Sequence, residues 1–78
     1  MLIKEQFYDL IKKKGYNSFR QFCVAANIAP GNLHANLTGR FDLSIDRAFI
    51  LANTLEVPIY EILDIFYPDR MKENRKYF

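Results

Sequence analysis

The chain has 78 residues, half of them hydrophobic, and a net charge of +2. That length allows one domain with a small core, and that much apolar content excludes a disordered chain. A single cysteine rules out an internal disulfide and a cysteine-based zinc set, and the mild basic excess permits nucleic-acid binding without arguing for it.

Ile3, Phe7, Leu10 and Ile11 make one apolar stripe, which predicts a first helix over residues 3–14. Lys12, Lys13 and Lys14 crowd its last turn, where cations complement the helix dipole, and Gly15 follows as a C-terminal cap. The plainer reading of the lysine run is a solvated helix end; the sharper one is phosphate contact. Phe19, Phe22, Cys23 and Ala26 recur at i, i+3, i+4 and i+7, the spacing of a second helical face. Ser18 and Gln21 have the spacing of a capping box at its start. Cys23 falls on the buried stripe, where a thiol acts as a small hydrophobe.

Asn27 stands where the chain must turn, and asparagine tolerates the left-handed conformation. A short helix over about residues 29–38 follows, with Pro30 at its first position and Leu33 and Leu37 as core anchors. Gly31, Asn32, His34, Ala35 and Asn36 are left for its outer faces, and Gly39 closes it. Two short helices joined by a turn of three or four residues are a helix-turn-helix unit, whose second helix is the one offered to a DNA major groove. Residues 40–43 read as a loop, and Ser44 as the cap of a fourth helix running to about Leu55. Its core stripe is Ala48, Leu51, Ala52 and Leu55, with Phe49 and Ile50 off it. Pro58 begins a fifth helix with Ile59, Ile62, Leu63 and Phe66 inside and Tyr60, Ile65 and Tyr67 off that stripe. Pro68 is expected to stop it. Residues 1–67 then form the domain, and 68–78 a charged tail expected to be mobile, with Tyr77 and Phe78 as residues that could dock.

No apolar run reaches the ~18 residues of a membrane span, and the opening MLIKEQF lacks a signal-peptide core. A soluble cytoplasmic protein is expected. No acid–base pair, Gly-rich phosphate loop or metal-ligand spacing is present in the sequence, so neither catalysis nor a cofactor is expected.

From Gly15 to about Leu63 the chain resembles the Cro and phage-repressor helix-turn-helix family, the XRE type. Asn27-Ile28 stands at the usual Gly-Ile turn. Leu37-Thr38-Gly39-Arg40 is like the usual Leu-Asn-Gly-Lys ending, and Leu51 to Val57 is like the usual Ile-Ala-Lys-Ala-Leu-Gly-Val. The resemblance implies an all-α, compact five-helix, lambda-repressor-like domain that binds operator DNA, commonly as a dimer. It places the base-reading positions at Gly31, Asn32, His34 and Ala35, and phosphate contacts at Lys14, Ser18, Phe19, Arg20, Thr38 and Arg40. The departures are chemical: Pro30, Gly31 and Ala35 carry no side-chain donor or acceptor, and bidentate base readout needs Arg, Lys, Asn or Gln. Phe19 stands where the family often has a phosphate-contacting Gln.

Two functions follow as expectations. The first is a sequence-specific regulator binding double-stranded DNA as a homodimer, with Phe49, Ile50, Tyr60, Ile65 and Tyr67 as its seam. The second is a protein-binding module on the same fold, an antirepressor or modulator whose partner is another repressor. A DNA binder should gather Arg20, Arg40 and the lysine run on the third helix's face. A protein binder should gather Phe19, Phe41, Phe49 or Tyr60 into an apolar patch.

Overall fold

Six α-helices run through residues 2–74, the part of the chain that the computed structural model describes. They are α1 (Ile3–Lys13), α2 (Phe19–Ala26), α3 (Pro30–Leu37), α4 (Ile45–Leu55), α5 (Ile59–Phe66) and α6 (Pro68–Asn74). The described residues contain no strand, so the molecule is all-α. α1 packs on α2 and α5, α2 on α3 and α4, and α4 on α5.

The apolar stripes meet as their spacing predicts. Phe7, Phe22, Leu33, Leu51, Leu55 and Ile62 are fully buried, and Cys23 with them. The centre is aromatic. Phe22 stands edge-on to Phe7 (ring centroids 5.5 Å apart) and to Tyr16 (5.2 Å), and Phe7 meets Phe66 at 5.9 Å. Edge-to-face pairs align ring quadrupoles favourably, so one chain of rings ties α1, α2 and α5 together. Burial pushes the Cys23 thiol above its ordinary value, against a smaller opposing pull from Arg20.

The helix starts have local causes. The Ser18 hydroxyl accepts the Gln21 backbone N–H at 3.0 Å, and the Ser44 hydroxyl accepts that of Arg47 at 3.1 Å. Each satisfies one of the orphan donors of a first turn. Gln21 does not complete the reciprocal box: its Oε1 accepts from the Asn17 N–H, one residue before the cap.

The ends of α1 to α4 share one device. Gly15, Asn27, Gly39 and Glu56 take positive φ of 96°, 56°, 79° and 57°. In each case the next residue's N–H reaches back to the helix: Tyr16 to Ile11, Ile28 to Cys23, Arg40 to Ala35 and Val57 to Ala52, at 2.9–3.0 Å. These are Schellman closures. Tyr16, Ile28 and Val57 turn inward there and pack on the core; Arg40 is the exposed exception. Glu56 is the strained member. The left-handed conformation costs a residue with a Cβ about 1–2 kcal/mol, while glycine loses about 0.4–1 kcal/mol through unfolded-chain entropy. Glu56→Gly should therefore stabilise the fold by about 0.5–1 kcal/mol in a urea melt. A lower midpoint would mean that the glutamate side chain itself holds the α4–α5 junction.

Beyond Phe66 the chain is helical within the stretch read as a charged tail. Tyr67 breaks the α5 conformation (φ −136°, ψ 60°), but Pro68 then opens a new helix. α6 lies against α5 and buries Met71. Proline suits a first helical position because its missing N–H has no intrahelical partner there. Tyr77 and Phe78 lie outside the described residues.

Candidate nucleic-acid interface

α2 and α3 are joined by Asn27, Ile28 and Ala29. Asn27 is left-handed, and Ile28 drops into the core. This turn leaves α3 on the surface, anchored by Leu33 and Leu37 and open along Gly31, Asn32 and His34. A side chain at Gly31 would enter open space, with no atom within 4 Å, so the fold makes no demand for glycine there. Ala29 provides no side-chain cap to α3. Pro30 brings no N–H and the Asn32 N–H bonds the Ala29 carbonyl at 3.0 Å, which leaves the Gly31 N–H open in the first turn, beside a groove of about 400 Å³ lined by Arg20, Cys23, Val24 and Pro30. At the other end Arg40 follows Gly39, exposed, its guanidinium 5.7 Å from the Phe41 ring centroid.

Two residues expected on the outer face of α3 are inside. Ala35 is only 6% exposed, because the chain after the helix folds back over it: the Arg40 and Phe41 N–H groups both donate to the Ala35 carbonyl, at 2.9 and 3.2 Å. A base-reading role for Ala35 is thereby corrected. Asn36 is also buried. Its Nδ2 donates to the carbonyls of Phe41 (3.2 Å) and Asp42 (3.1 Å), and its Oδ1 accepts from Arg47 Nη1 (3.3 Å). Sequence reasoning missed this, although Leu33, Asn36 and Leu37 stand at i, i+3 and i+4 on one face.

The expected phosphate contacts divide. Arg20 and Arg40 flank α3. Ser18 and Thr38 are exposed but serve as helix caps, Thr38 donating its hydroxyl to the carbonyls of His34 (3.1 Å) and Ala35 (3.3 Å). Phe19 turns inward: it packs on the core, with its ring 5.4 Å from that of Tyr8, so the expected contact at that position has no side chain to make it. Lys14 is exposed at the end of α1, and Lys12 lines a separate groove with Tyr8, Ser18 and Phe19. The lysine run thus belongs to the α1–α2 side rather than to α3.

Among the apolar residues expected at a partner surface, Phe49, Ile50 and Tyr60 are exposed, whereas Ile65 and Tyr67 pack on the core. Phe41 and Ile45 add two further exposed apolar groups. No helix among the described residues is long and apolar enough to cross a membrane, and none of their His, Cys, Asp and Glu side chains form a group able to hold a metal ion. Comparison with protein-family models, curated proteins and solved structures finds no match.

Proposed function

We propose that the chain is a sequence-specific DNA-binding transcriptional regulator. In this reading α1 to α5 form a lambda-repressor-like domain, α2 and α3 are its helix-turn-helix, and α3 lies in the major groove of double-stranded DNA. The observation that carries it is α3 itself: a helix exposed along Pro30, Gly31, Asn32 and His34, with no side-chain cap at its start, Arg20 beside one end and Arg40 at the other. Both ends then meet phosphates, and the face between them meets base edges. Asn32 and His34 supply the polar atoms for readout. Gly31 lets the helix backbone come close to the duplex. Phe49, Ile50 and Tyr60 supply the seam of a homodimer, which sets two copies of α3 about 34 Å apart, one turn of DNA.

The test is titration of a labelled duplex from the protein's own upstream region against a scrambled duplex, at about 50 and 200 mM salt. Preferential, saturable and strongly salt-dependent binding supports the regulator. In the same assay Arg40→Ala should weaken binding to both duplexes alike and reduce the salt slope by about 1. A selective loss on the preferred duplex would move Arg40 from phosphate contact to base readout.

A protein-binding module on the same fold is the second reading. It is favoured by Phe41, Ile45 and Phe49, which stand exposed on the loop after α3 and along α4. Failure of the wild-type chain to bind any duplex would favour it, with another repressor as the partner to try.

A further inference from the structure

The segment Arg40–Leu43 is fastened on every side. Its N-terminal half hangs from the Ala35 carbonyl through the Arg40 and Phe41 N–H groups. The Asn36 amide holds the carbonyls of Phe41 and Asp42 from beneath. Both Nδ2 hydrogens are then committed, which fixes the amide's orientation and turns Oδ1 toward Arg47 of α4. At the far end the Leu43 N–H donates to the Tyr67 hydroxyl oxygen at 2.9 Å, a bond between residues 24 apart in sequence.

Tyr67 is itself held from the C-terminal side. Its carbonyl accepts the Met71 N–H at 3.0 Å, the Arg70 guanidinium lies 5.3 Å from its ring centroid, and Met71 is buried beyond it. A line of contacts therefore runs from α6 through the Tyr67 hydroxyl to Leu43, and along a segment bonded to the protein at both ends, to Arg40. Loops with that many exposed backbone groups ordinarily leave several to water. Here the N–H groups of Arg40, Phe41 and Leu43 and the carbonyls of Phe41 and Asp42 are all taken by the protein.

We propose that Tyr67 and Asn36 are positioning residues for Arg40, and that α6 sets the α3–α4 loop through the Tyr67 hydroxyl so that Arg40 meets a DNA phosphate without first being ordered. This rests on the DNA-binding reading. Ordering a free arginine-bearing loop on binding opposes association, and the tether removes that cost in advance.

The test is Tyr67→Phe, which keeps the ring and removes only the hydroxyl that accepts from Leu43. Two readouts are needed. In the free protein, hydrogen exchange at the Leu43 amide should accelerate by about fivefold, the loss of one hydrogen bond of ~1 kcal/mol. With the duplex titration at low salt, Tyr67→Phe should weaken binding about two- to fivefold when Arg40 is present, and not at all in an Arg40→Ala background. Asn36→Asp, which removes both amide donors, should show the same dependence on Arg40, with a thermal melt to establish that it remains folded. Equal losses with and without Arg40, or unchanged binding by folded variants, would overturn the inference while leaving the DNA-binding reading standing. A wild-type chain that binds no duplex would overturn both.

Discussion

Phe22→Ala should cost about 3–5 kcal/mol, the range for emptying a fully buried aromatic position. Phe22 has no solvent exposure and makes two edge-to-face contacts, with Phe7 from α1 and with Tyr16 after Gly15. Truncation leaves a cavity at the point where α1 and α2 meet the body of the protein, and it removes a ring contact from both Phe7 and Tyr16. A folded domain of this size has roughly 4–12 kcal/mol in total, at about 0.05–0.15 kcal/mol per residue. The variant should therefore be marginal at room temperature, with a broad or missing pretransition baseline in urea followed by circular dichroism. A cost below about 1.5 kcal/mol would show that the surrounding side chains collapse into the space. That would take the aromatic chain out of the centre of the stability argument.

Asn32→Ala should remove about 1–3 kcal/mol of discrimination at one base position, a factor of roughly 5 to 150, with little change in the salt slope. Asn32 is exposed on the first turn of α3, and its side chain has no hydrogen-bond partner among the described residues. A free amide can offer a donor and an acceptor together, the pair that matches the N6 and N7 edge of adenine. Its neighbours have less to offer: Gly31 has no side chain, and Ala35 is covered by the returning loop. If the regulator reads sequence through α3, Asn32 and His34 carry most of it. The check is a set of duplexes, each altered at one base pair. An even loss on all of them would place Asn32 on the backbone, and no loss on any would remove it from the interface.

What was legible in the sequence was local. Ser18 and Ser44 were readable as caps because a hydroxyl finds its N–H three residues away. Asn27 was readable as left-handed because few other residues accept that turn. The apolar stripes at helical spacing found the core, including Cys23. What was not legible depends on chain returning from a distance. Ala35 is buried where Arg40 and Phe41 fold back on its carbonyl, and no periodicity within α3 shows that. Tyr67 looked like surface because it falls off the apolar stripe of the fifth helix; its bond to Leu43 joins positions that only the fold brings together. Pro68 was ambiguous in principle: the same missing N–H that ends one helix suits the start of the next. Met71, the anchor that decides for α6, is a single apolar residue in a charged stretch. Asn36 is the exception. Its spacing with Leu33 and Leu37 marked the inner face, and its polarity concealed it.

The lone thiol of Cys23 gives the molecule a built-in clock. It sits on α2 with no solvent exposure, and its desolvated surroundings disfavour the reactive thiolate. Cys23 lies under the groove beside the start of α3, so a thiol-specific reagent reaches it when the wall of that groove or the seat of α2 opens. The labelling rate thus counts openings of the helix that precedes the proposed reading helix, without any added probe. Anything that grips α3 from outside and steadies α2 through the Asn27 turn would slow that clock. The chain can therefore report occupancy of its own surface from a sulfur atom seated beneath the groove where that surface begins.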